Sequence, residues 1–120
     1  MKTIICDIDG TIFKYVGGMA DVTRSVAEPL PGVIDQLNKW ELQGCRIILI
    51  TGRRESMRER TEQDLQKHGI PYDILLMGYA DTGRVVINDE GSKVKAHSVS
   101  LKRDIGFEDY DWEEVGLTNI

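Results

Sequence analysis

Two residues carry the chemical interest of this chain: Asp7 and Asp9, set two positions apart after Thr3-Ile4-Ile5-Cys6 and just before Gly10-Thr11. A short Ile-rich run that ends on a glycine turn reads as a buried strand presenting charge at its carboxyl end. Strand alternation points both carboxylates to one side, where they crowd unless a cation neutralises them. Hard oxygen donors with no neighbouring His or Cys favour Mg2+ over zinc. A carboxylate beside such a cation can attack an electrophilic phosphorus, because the phosphoryl charge no longer repels it. Asp7 is then the candidate nucleophile. Asp9 is the candidate acid and base, protonating the leaving oxygen and later taking a proton from the attacking water.

Other elements must position this pair. Residues 2–6 read as a central parallel strand. Pro31-Gly32 opens a helix with Val33, Ile34, Leu37 and Trp40 on one face, and Gly44 ends it. Residues 46–50 form an uninterrupted apolar strand that stops at Thr51-Gly52-Arg53-Arg54. Residues 55–68 return to helix, with Met57, Thr61 and Leu65 on one face and Gly69 and Pro71 as the stop. Residues 73–77 read as a third strand. Residues 84–87 read as a fourth, ending at Asn88-Asp89-Glu90-Gly91.

This alternation predicts an α/β fold: a single Rossmann-like domain with a mostly parallel central sheet flanked by helices. Right-handed crossovers would place the carboxyl ends of strands one, two and four on one edge, so that Asp7, Thr51 and Asp89 converge. Residues 12–30 read as a loop or short hairpin beside the first strand's end, too short for a separate cap domain. Residues 94–101 suggest a further strand. The acidic, aromatic stretch 107–115 is expected to pack Phe107, Tyr110 and Trp112 on the sheet or a helix, with a subunit contact as the sharper alternative.

A length of 120 residues suits one domain with a real core. The net charge of -5 argues against general affinity for nucleic acid, although Arg53, Arg54, Arg58 and Arg60 form a local basic patch. Small anionic substrates remain open. Apolar runs are too short to cross a bilayer and no signal-peptide pattern stands at the start, so a cytoplasmic protein is expected. Cys6 and Cys45 fit two reduced, buried thiols in such a compartment. His68 and His97 each stand alone.

The Asp7-Ile8-Asp9-Gly10-Thr11 segment resembles the DxDGT first motif of the haloacid dehalogenase (HAD) superfamily of phosphotransferases. Thr51, after its apolar strand, is similar to the second motif, and Asp89 after Val85-Val86-Ile87 to the acidic fourth motif. The resemblance covers roughly residues 1–95. It implies an Mg2+-dependent phosphomonoester hydrolase working through an aspartyl phosphate. Asp7 would be nucleophile and metal ligand. Asp9 would be acid and base, with its backbone carbonyl on the metal, and Thr51 would orient the phosphate beside Gly10, Thr11, Gly52 and Arg53. Asn88 stands where the fourth motif usually has a second acid, leaving Asn88 and Asp89 to complete the metal shell. For the third motif's cation, Lys93 is ranked above Arg84.

The catalytic core is expected at about 1–95 within a single domain of residues 1–120, with 96–120 a terminal strand and tail packing on the core or a neighbouring subunit. The absence of a cap implies large substrates or a homo-oligomer in which a neighbour acts as lid. The form of the fourth motif hints at a phosphosugar. Alternatives are a polynucleotide or nucleotide phosphatase, a phosphate-accepting receiver and a non-catalytic binding protein.

Overall fold

The computed structural model describes residues 2–79, 82–91 and 93–119. Three parallel strands, β1 (Thr3–Asp7), β2 (Arg46–Thr51) and β3 (Ile74–Met77), pair in the order β1-β2-β3. The connections carry α1 (Met19–Arg24) and α2 (Val33–Leu42) before β2, and a 3-10 turn (Glu55–Met57) running into α3 (Arg58–Lys67) before β3. Register pairs Asp7 with Ile50 and Thr51 with Met77, so these strands end together at one edge. The expected α/β architecture and parallel sheet are present.

Alternation divides the sheet into two unlike faces. Cys6, Ile47, Leu49, Thr51, Leu75 and Met77 point to one face and are all buried. Leu37 and Trp40 of α2 and Leu65 of α3 join the same core cluster, so the helices cover this side. Ile5, Asp7, Ile48, Ile50, Ile74 and Leu76 lie on the other face, where none is fully buried and Ile5 is 53% exposed.

The fourth strand is not formed. Val85, Val86 and Ile87 belong to no sheet and are exposed at 87%, 60% and 92%. The physical reason lies in the connection: a parallel neighbour needs a crossover of about a dozen residues or more, and only residues 78–83 separate β3 from Arg84. Residues 94–101 form no strand either. They run largely exposed, and only Val99 and Leu101 lean on the core.

Residues 14–28 leave and return as a pinched excursion: Phe13 bridges Pro29 antiparallel and the Lys14 N–H donates to the Glu28 carbonyl at 2.8 Å. Within it, α1 buries Val22, and Arg60 of α3 donates to the Thr23 and Ser25 carbonyls. The excursion is thereby pinned to α3.

The carboxyl-terminal segment packs on α2 and adds Phe107 and Trp112 to the core. Trp112 stands edge-on to Trp40 at 4.9 Å and to Phe107 at 5.0 Å. Its indole N–H donates to the Phe107 carbonyl, while Gln36 and Trp40 of α2 both donate to the Thr118 carbonyl, at 2.7 and 2.8 Å. These bonds satisfy a Gln36 side chain that is otherwise fully buried.

Candidate active site

β1 delivers Asp7 and then turns sharply. The Thr11, Ile12 and Phe13 N–H groups all donate to the Ile8 carbonyl, and the Gly10 N–H donates to the Phe13 carbonyl at 2.7 Å. Gly10 takes φ +85°, a conformation that favours glycine, and a Cβ there would lie 3.1 Å from the Arg103 side chain, which would have to shift.

Asp7 accepts from the Thr11 hydroxyl at 3.4 Å and meets the Arg84 guanidinium at 3.4 Å. Burial pushes its carboxyl above the usual carboxylate range; Arg84, the Ile8 N–H and Thr11 oppose that push, and the Asp9 charge adds to it. The two carboxylates are thus close enough to feel each other. Behind them, the Cys6 thiol is pushed up to about 12, mainly by burial, and is inert at neutral pH.

Asp9 is held differently. Arg53 donates from Nε to one carboxylate oxygen at 3.0 Å and from Nη2 to the other at 2.7 Å, a two-point fork. Its Nη1 donates to the Thr61 hydroxyl of α3 at 3.0 Å. The backbone of Arg53 is fixed as well: its N–H donates to Thr51 Oγ1 at 3.1 Å, and its carbonyl accepts from Gly78. Arg53 is only 5% exposed.

The structure therefore brings Asp7, Asp9, Gly10, Thr11, Thr51, Gly52 and Arg53 to one strand-end edge, with two surprises. Arg53, expected to grip substrate, is buried against Asp9. Thr51 is 1% exposed, with its oxygen already accepting from Arg53. Asn88, Asp89 and Lys93 are not assembled with them, since their convergence depended on the missing fourth strand. All three are exposed, and among the described residues no group of three His, Cys, Asp or Glu side chains is placed to hold a metal. The cation found at Asp7 is Arg84 rather than Lys93.

Sequence reasoning also missed the turn that braces the Gly10 loop. Asp104 adopts φ +66°, its N–H donates to the Gly10 carbonyl at 2.9 Å, and its carboxylate accepts from the Tyr15 N–H at 2.8 Å. The Arg103 guanidinium lies 3.9 Å over the Tyr15 ring. The available signal was the Asp104-Ile105-Gly106 turn pattern, which marks a turn without saying what it touches.

The profile of the HAD superfamily, subfamily IIIB (acid phosphatase), matches residues 19–105. The chain belongs to that family. The matched span begins after Asp7-Thr11, so the first motif of this HAD chain stands on its own geometry. A chain in the solved Pnkp1/Rnl/Hen1 complex is 34% identical over 70% of this chain, with TM-score 0.56. The present chain spans only 30% of that relative's length. A structural-genomics target from Vibrio cholerae is 26% identical over 72% of this chain and 80% of its own, with TM-score 0.52. No curated protein sequence matches the chain.

HAD phosphatases imply a divalent cation, and the donors here suit one in part. Asp7 is a carboxylate raised by burial and by a neighbouring negative charge, which is where a hard cation lowers the electrostatic cost. The Asp7 carboxylate and the Asp9 carbonyl would hold it.

Proposed function

We propose that this chain hydrolyses phosphomonoesters through an aspartyl phosphate on Asp7, with Mg2+ as cofactor. The observation that carries the reading is Asp7 at a strand end, next to Asp9 and one strand from Thr51, within a family of phosphatases. The cation, when bound, neutralises phosphoryl oxygens. An Asp7 carboxylate oxygen attacks phosphorus and the bond to the leaving oxygen breaks. Asp9 supplies that oxygen's proton. Water then attacks the phosphorus, Asp9 takes its proton, the bond to Asp7 breaks, and phosphate departs. Thr51 can donate its hydroxyl proton to a phosphoryl oxygen while its own oxygen accepts from Arg53. Arg84 stabilises charge beside Asp7 in the third-motif role.

The substrate in this reading is a small phosphorylated molecule such as a phosphosugar, consistent with the net charge of -5. A neighbouring subunit would serve as lid in a homo-oligomer. Two free, buried thiols suit the cytoplasm, and no helix among the described residues is long and apolar enough to cross a membrane. A second reading, a phosphatase of polynucleotide ends, is favoured by the 35% identity to a chain of the Pnkp1/Rnl/Hen1 RNA repair complex.

The test supplies phosphosugars, nucleotides and 3′-phosphorylated oligonucleotides with Mg2+ to wild-type protein and to Asp7→Asn. Phosphate release should fall by a factor on the order of 10^4 or more in the variant. Release that persists in Asp7→Asn removes Asp7 as nucleophile. The preferred ester decides between the two substrates.

A further inference from the structure

Arg53 has a task that its position after Thr51 does not reveal. We propose that Arg53 is a positioning residue for Asp9: its guanidinium fixes the carboxylate that handles the leaving-group proton and does not itself grip substrate. The inference rests on the phosphatase reading above and deepens it.

Three observations carry it. First, the fork is complete, because both Asp9 oxygens accept from Arg53, at 2.7 and 3.0 Å, which fixes the carboxylate's plane as well as its place. A carboxylate offers about four acceptor positions and the fork occupies two, so each oxygen keeps one for a proton and a substrate oxygen. Second, the guanidinium is nearly solvent-free, and its third contact goes inward to Thr61, which is fully buried. A side chain engaged in this way has little freedom to reach an incoming phosphate. Third, the Arg53 N–H and carbonyl are tied to Thr51, the last residue of β2, and to Gly78, just past β3, so the clamp sits against the strand ends rather than on a loop tip. An acid held this firmly spends no orientational entropy when the leaving group departs.

The role predicts a signature that grip or simple stability does not share. A good leaving group departs without a proton, whereas a poor one needs the acid. Arg53→Lys keeps the charge but cannot hold two oxygens at once. With Mg2+, kcat/KM should fall about a hundredfold for phenyl phosphate, the size of a general-acid contribution, and only about threefold for p-nitrophenyl phosphate. Asp9→Asn should give the same asymmetry, and Thr61→Val a weaker version of it. Thr61→Val keeps the clamp testable if Arg53→Lys does not fold, as judged by circular dichroism.

Equal losses on both esters in either folded variant overturn the inference, as does a loss confined to KM. Wild-type turnover abolished by Asp7→Asn, together with such equal losses, leaves the phosphatase reading standing and removes only the Arg53 role. A wild-type protein that hydrolyses neither ester nor any member of the phosphate panel removes both.

Discussion

The two faces of the sheet differ in how completely they are finished, and the two carboxylates inherit that difference. On the covered face, α2 and α3 seal Ile47, Leu49 and Thr51, and beside it a buried arginine locks Asp9 through contacts shorter than 3.1 Å. On the other face Ile5 and Ile74 are roughly half exposed, and Asp7 has longer contacts, with the Thr11 hydroxyl and with Arg84, each at 3.4 Å, the latter from a stretch outside any strand or helix. The Asp9 half of the candidate site is therefore held firmly, whereas the Asp7 half leans on irregular chain. Parallel sheets normally bury both faces, so the open side is the less expected of the two.

Stability separates the two faces most directly. Ile47→Ala on the covered face should cost about 2–5 kcal/mol, the range for emptying a packed site. Ile5→Ala, on the adjacent strand but the open face, should cost less than about 1 kcal/mol. Chemical denaturation of both variants measures the gap. Equal costs would mean that the open face is covered in solution, by a second copy or by the apolar residues 85–87.

A smaller effect separates the two candidate cations. Arg84→Met should lower kcat about tenfold, roughly 1.4 kcal/mol of charge stabilisation beside Asp7, while Lys93→Met should leave it nearly unchanged. The reverse result would place Lys93 at the site during turnover and show that the chain around it rearranges when substrate binds.

How much of this was legible in the sequence follows the same division. β1, β2, β3, α2 and α3 were readable because each carries its own period and stop signal, and Thr51 and Gly10 fell at the ends of those elements. Arg84-Val85-Val86-Ile87 looked equally like a strand, since a short apolar run carries no information about which edge it reaches. The brevity of residues 78–83 was the overlooked warning. Arg53 was noticed for its charge and assigned to substrate. Its true neighbours, Asp9 and Thr61, are 44 and 8 residues away, and nothing local marks a guanidinium as inward-facing. The 102–106 turn and the Thr118 tether escaped for the same reason: both are single long-range hydrogen-bonding sites without periodicity.

The smallest effect concerns the charge on Asp7 itself. Its carboxyl is raised in the folded protein, chiefly by burial, so the fold holds that proton to a higher pH than the unfolded chain does. Above the raised value, where Asp7 is ionised in both states, the shift opposes folding. The penalty fades as pH falls through the raised value and is absent below the ordinary 3.8, where both states are protonated. Asp7→Asn should therefore unfold at a slightly higher temperature than wild type at pH 7 with divalent cations chelated. That advantage should shrink steadily on acidification. The size of the advantage measures how far Arg84 already offsets the charge: a wild type as stable as the variant at pH 7 would mean that this exposed arginine neutralises Asp7 as fully as buried Arg53 secures Asp9, and the two halves of the site would then be equally prepared.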